Sequence, residues 1–299
     1  MERFPNNSRV CFIGDSITHA NLYLAHIVSY YKEYFPESGV EFYNCGISGG
    51  TLNTTLSAFE EDIAPYNPTH AVLFIGINDS SRDYLLLDPP KKLTLLKEAY
   101  LKYEQNLNKL CEKLRAIDCE LILCTPTPYA EFMESNISPL PDGYELIQRY
   151  AQFLINYSKK NGYPLCDYHT YFSKLIKSEE IYHPDRVHPN ERGHYYIAKC
   201  FLDFQGITLC EEKPLREDIK KWHSVVTDIR DTIATEHFIL RDDFTTTDEE
   251  RAEAIKAYLQ KQDNGPHAAY FKMLSQKYPS VKAKQKENIQ FVINFMKNK

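Results

Sequence analysis

Ser16, Asp185 and His188 are the residues whose types and surroundings could carry acyl transfer, and two turns rich in Gly and Asn could support them. Ser16 stands in Gly14-Asp15-Ser16-Ile17-Thr18, straight after the apolar run 10–13. A serine at a strand-to-helix turn is exposed at the carboxyl edge of a sheet. Its backbone N–H also lies at a helix N-terminus, where negative charge is favoured. Asn44-Cys45-Gly46-Ile47-Ser48-Gly49-Gly50-Thr51 follows the run 40–43. Its glycines let backbone N–H groups approach a substrate closely and face a developing oxyanion. Gly76-Ile77-Asn78-Asp79 follows the run 71–75, and the Asn78 amide can donate to the same oxyanion. Last comes His183-Pro184-Asp185-Arg186-Val187-His188-Pro189-Asn190. An Asp three residues before a His can hold the imidazole tautomer and stabilise its charged form while the ring takes the serine's proton.

Each segment alone also reads as ordinary structure. Ser16 or Asp15 would serve as a helix N-cap, the glycines as a flexible turn, Asn78-Asp79 as a turn, and 183–190 as a capped loop. Asp15 is expected to brace its turn rather than react. His183 competes with His188 as base, but the Asp three residues earlier favours His188. His183, Asp185, His188 and His194 also suggest a metal cluster, yet no helical His-x-x-x-His pair or Cys pair supports one. Neither metal nor organic cofactor is expected.

The elements that must position these residues show in the hydropathy pattern. Five short runs, 10–13, 40–43, 71–75, 121–124 and 164–167, are rich in β-branched, aromatic or other apolar residues and flanked by turn residues, which fits strands buried on both faces. Between them lie helical candidates at 20–35, 55–64, 93–117, 142–161 and 190–204. The clearest places Leu96, Tyr100, Tyr103, Leu107, Leu110 and Leu114 at three- and four-residue spacing. Alternating β and α elements predict a mostly parallel sheet with helices on both sides, and ligands bind beyond the carboxyl ends of such strands. All four chemical segments fall there.

Beyond residue 208 no strand-like run remains. Leu215, Ile219, Trp222, Val226, Ile229 and Ile233 form a helical stripe, Thr247-Asp248-Glu249-Glu250 reads as a capping box, and Ile289, Val292, Ile293 and Met296 mark a last helix. Residues 1–208 are therefore expected to form the main domain and 209–299 a helical extension: a small domain, a lid or a self-association element. The basic stretch from Lys272 onward reads as a solvated helix face.

With 43% apolar and 25% charged residues, the 299-residue chain has ordinary globular composition. Its net charge of −6 argues against nucleic acid as a partner. No run of about 18 apolar residues suggests a membrane span. The first residues lack a secretory pattern, which predicts a cytoplasmic protein with reduced core cysteines, eight in all. The Asn-x-Ser/Thr sequences at Asn6, Asn53, Asn136 and Asn156 would then carry no glycan.

Jointly, the four segments resemble the conserved blocks of the SGNH/GDSL hydrolases: Gly-Asp-Ser, the glycine block, Gly-x-Asn-Asp and Asp-x-x-His. The likeness covers about residues 8–205. It implies a three-layer α/β/α sandwich of flavodoxin-like SGNH type around a mostly parallel five-stranded sheet. It also implies a triad of Ser16, Asp185 and His188, with Gly49, Asn78 and the Ser16 N–H as oxyanion hole. One departure is Gly50, where the family often has Asp or Asn; the choice of Gly49 over Gly50 rests on its place after Ile47-Ser48. The blocks most resemble those of carbohydrate deacetylases, which makes an acetylated oligosaccharide the expected substrate. A lipolytic esterase or thioesterase acting on longer acyl chains is the second reading, and an inactive binding module of the same fold the third.

Overall fold

The computed structural model describes residues 1–209, 213–239, 253, 257 and 268–297. Its centre is a five-stranded sheet: β1 (Arg9–Gly14), β2 (Glu41–Gly46), β3 (His70–Phe74), β4 (Glu120–Cys124) and β5 (Leu165–Cys166). All pairings are parallel and the spatial order is β2-β1-β3-β4-β5. The chain leaves β1 toward β2 and returns to place β3 on the other side of β1. The crevice at that reversal is where ligands bind in open α/β sheets. Register aligns the chemistry: Gly14 pairs with both Gly46 and Phe74, so the turns carrying Ser16, Gly49 and Asn78 all leave the sheet at one level.

Alternate strand residues face opposite layers, as the pleat requires. Cys11, Ile13, Tyr43, Cys45, Ala71, Leu73, Leu121 and Leu123 form one core with α3 (Leu52–Ala58), α4 (Lys91–Ala116) and α5 (Gly143–Asn161). On the other face Phe12 packs edge-on against Phe201 of α7 (Glu191–Phe204) and tilts against Tyr23 of α2 (Leu22–Tyr34). Phe74 packs on Tyr168 of α6 (Tyr168–Leu175) on the same side. Together these layers make the α/β/α sandwich.

Several expected boundaries shift for local reasons. β2 runs through Asn44-Cys45-Gly46, read from sequence as loop. Asn44 holds its place in the strand by donating to the Thr18 carbonyl at 2.7 Å and to Asn21 Oδ1 at 2.9 Å. The helix expected at 55–64 begins at Leu52, because Thr51 caps it by accepting from the Thr54 N–H, and it ends in a wider turn, Phe59–Ile63. β5 shrinks to two residues. Pro164 has no N–H for a ladder, and Asp167 instead caps α6 by accepting from the Thr170 N–H at 3.1 Å. That helix was not legible as a periodic run.

The described chain divides into two compact units, Met1–Ile219 and Lys220–Asn298, with α8 (Glu217–Ile239) starting at the end of the first. In the second unit Trp222 stacks on Phe295, with ring centroids 5.9 Å apart. Its last helices are Ala268–Ala283 and Gln285–Lys297. Val292 and Met296 of the expected final stripe are buried, while Ile289 is exposed. Part of the basic stretch is neutralised within the unit: Lys277 pairs with Asp228 at 2.6 Å and Asp231 at 2.8 Å, and Lys282 with Glu236 at 2.7 Å. The capping box read at Thr247–Glu250 lies outside the described residues. Among the described residues no helix is long and apolar enough to cross a membrane. The seven described cysteines are buried and free.

Candidate active site

Ser16 is the first residue of α1 (Ser16–His19), a single turn set directly on the sheet edge. Asp15 caps that turn, its Oδ1 accepting from the Ile17 N–H at 3.0 Å. Gly14 and Gly46 permit the close approach. A β-carbon on Gly14 would collide with Thr18 Oγ1 and the Phe74 carbonyl oxygen, and one on Gly46 with the His19 nitrogen. The turn leaves Ser16 partly exposed, with Oγ 2.8 Å from His188 Nε2. On the far side of the ring, Nδ1 lies 2.6 Å from Asp185 Oδ2. An Nδ1–H donated to the carboxylate leaves the Nε2 lone pair for the serine proton.

Charge follows geometry. The hydrogen bond to Asp185 raises the His188 pKa above its ordinary value, against the opposing effect of burial. Burial alone would push Asp185 up. Hydrogen bonds from the His188 ring and from the N–H groups of His188 and Val187 instead hold it well below the usual carboxylate range. Those backbone bonds, 2.9 and 3.0 Å to Asp185 Oδ1, fold 185–188 into a tight turn. This is the local reason that an Asp three residues before a His puts both side chains on one side.

Arg186, which no sequence pattern singles out, anchors this loop. It is 3% exposed and adopts a left-handed φ of 67°. Its guanidinium donates to the carbonyls of Ala130, Glu131, Met133 and Ile137, stitching the loop to the 129–137 segment. Tyr182 adds a hydroxyl bond to the Pro128 carbonyl at 2.8 Å. The four groups weighed as a metal cluster do not gather. His183 is exposed, and His194 is buried with its ring stacked on Tyr23. Among the described residues no three His, Cys, Asp or Glu side chains form a ligand set.

The turns after β1, β2 and β3 are tied to one another. Ile47 N–H donates to the Gly14 carbonyl at 3.0 Å, Asn78 Nδ2 to the Gly50 carbonyl at 3.0 Å, and Leu52 N–H to Asp79 Oδ1 at 2.9 Å. Gly49 has φ 71°, a conformation glycine adopts without steric cost. The N–H of Gly50 is engaged by the Ile47 carbonyl at 2.8 Å. Gly49 N–H has no such partner among the described residues, so of the two glycines it is the one free to donate to a ligand. Asn78 uses one of its two amide N–H groups on Gly50, which leaves one for a substrate.

Three further charged groups lie close by. Asp15 is pushed up to about 6 by burial, which its Ile17 hydrogen bond and the nearby His188 and Arg82 only partly offset. Asp79 is pushed up to about 7, first by burial and further by the charge of Asp15. Arg82 donates to the Ile77 carbonyl at 2.6 Å, which also accepts from Ser80 Oγ at 2.7 Å, so the peptide before Asn78 is doubly held. Its positive charge works against protonation of His188. Three residues beyond Asp79, this arginine carries no sequence pattern of its own. Replacing Arg82 by Gln removes the cation, so His188 will bind its proton more tightly. The acid limb of the kcat/KM–pH profile will move to higher pH, and Arg82→Lys will keep it near the wild-type position; profiles of the three proteins check this.

A model of the GDSL-like lipase/acylhydrolase family matches residues 12–196. An acetylxylan esterase of Geobacillus stearothermophilus is 28% identical over 219 residues, which are 67% of this chain and 94% of the relative. The structure of a catalytic mutant of an acetylxylan esterase from the same organism aligns at 25% identity with a TM-score of 0.58, covering 70% of this chain and 99% of the other. A gut microbial diltiazem-metabolizing enzyme shares the fold with a TM-score of 0.78 at 14% identity, covering 100% of this chain and 97% of its own. With the four sequence blocks converging at one sheet edge and the family model spanning most of the sandwich, the chain belongs to the GDSL-like lipase/acylhydrolase (SGNH) family and is a carboxylic ester hydrolase.

Proposed function

We propose that the protein is a serine O-acetyl esterase acting on carbohydrate, through an acyl-enzyme on Ser16. The observation that carries the reading is the unbroken chain from Ser16 Oγ to His188 Nε2 and from His188 Nδ1 to Asp185 Oδ2. As Ser16 Oγ attacks the ester carbonyl, Nε2 takes its proton. Asp185 stabilises the imidazolium without itself accepting a proton. The carbonyl oxygen becomes an oxyanion, held by the N–H groups of Ser16 and Gly49 and by Asn78 Nδ2. His188 then protonates the departing alkoxide. Water, deprotonated by the same nitrogen, releases acetate and restores Ser16. These steps use residues of the 1–208 segment alone, which we take as the catalytic domain, with 209–299 as a helical extension.

The acetyl and carbohydrate parts are supported by the acetylxylan esterases at 28% and 25% identity. Hydrolysis of p-nitrophenyl acetate, butyrate and octanoate tests the acyl part. Turnover fastest on acetate is expected, and a preference for octanoate would replace this reading with a lipolytic one.

A further inference from the structure

A cavity of about 300 Å³ opens between α3, α4 and the segment after β3, and Asn78 forms part of its wall. We propose that this cavity receives the alcohol half of the substrate as a hydroxylated ring, a single sugar unit. The inference rests on the reading of Asn78 as an oxyanion donor, since that residue joins the cavity to the reacting carbonyl.

The lining sets several polar groups beside the apolar Leu95, Ala99 and Tyr103. Asn53, Asp79, Tyr84, Lys102 and Asn106 face it along with Asn78. Asn106 is only 6% exposed, yet its amide has no hydrogen-bond partner among the described residues. That amide is not sealed from solvent, so a ligand that displaces water from it must replace its hydrogen bonds. A sugar hydroxyl both donates and accepts, so it can pair with either end of the amide. An aliphatic chain in the same space would exclude water and leave the Asn106 amide unpaired. The volume agrees: it lies at the low end of the roughly 300–1,000 Å³ typical of ligand sites, enough for one ring.

The test compares two esters with the same acyl group: a mono-O-acetylated methyl pyranoside and p-nitrophenyl acetate. Asn106→Leu keeps the side chain's shape and removes its hydrogen bonds. Lys102→Met changes an exposed residue and guards against a folding defect in the first variant. Both are expected to lower kcat/KM on the acetylated pyranoside about tenfold, the worth of one hydrogen bond, and to leave p-nitrophenyl acetate within twofold. Equal losses on both esters, or no loss on the pyranoside, would overturn the subsite. Wild-type turnover of p-nitrophenyl acetate with none on the pyranoside would also overturn it while sparing the acetyl esterase chemistry. Failure on both esters would overturn the proposed function, and the subsite with it.

Discussion

Ser16→Ala is expected to lower kcat on p-nitrophenyl acetate about 10⁶-fold, the loss typical when the nucleophile of such a triad is removed. The side chain's hydrogen-bond partner is His188, and the turn it opens is capped by Asp15 rather than by Ser16 itself. The fold therefore has little reason to notice the change, and the urea midpoint should match wild type. The two measurements together separate chemistry from stability. Activity within tenfold of wild type would remove Ser16 from the mechanism and leave its approach to His188 a structural coincidence. Activity lost along with the fold would say instead that the hydroxyl supports α1.

The second large effect is expected at Asp185. Asp185→Asn should lower kcat about 10⁴-fold, because an amide can present its N–H to Nδ1 and trap the ring in the tautomer that cannot take the serine proton. The sign of the pH effect follows from the raised His188 value. The base must be neutral to act, so activity is lost as pH falls through the His188 pKa. Asp185 is the first cause of the upward shift. Without its charge, His188 gives up its proton at lower pH, and the acid limb of residual kcat/KM should move down. The Arg82→Gln variant moves it the other way, so the pair brackets the wild-type profile. A limb that stays in place in Asp185→Asn would mean that a different group is titrating.

These expectations rest on different layers of information. The fold was legible because strands buried on both faces are predominantly apolar, and because α4 repeats its apolar residues at helical spacing. Those are properties of neighbours along the chain. The Asp185–His188 relation was legible for the same reason, since a three-residue separation on a Pro-bounded loop leaves few geometries. α6 was not, because an eight-residue helix after a two-residue strand carries too few residues to show a period. Nor was the true start of α3, which depends on one capping hydroxyl.

By itself, then, the sequence determined the parallel α/β class, the strand ends at which chemistry sits, and the identities of Ser16, Asn78, Asp185 and His188 as the residues to examine. Only the tertiary structure decided how they combine. Ser16 and His188, 172 positions apart, come within 2.8 Å because β1 lies at the switch point and Arg186 fixes the distant loop to the 129–137 segment. The engagement of the Gly50 N–H by the Ile47 carbonyl, the ground on which we propose Gly49 as the donor, is likewise visible only in the folded chain. The elevated Asp15 and Asp79 and the nearby Arg82 are likewise products of folding. Desolvation and Coulomb interactions depend on distance in space, and residue order along the chain does not encode that distance.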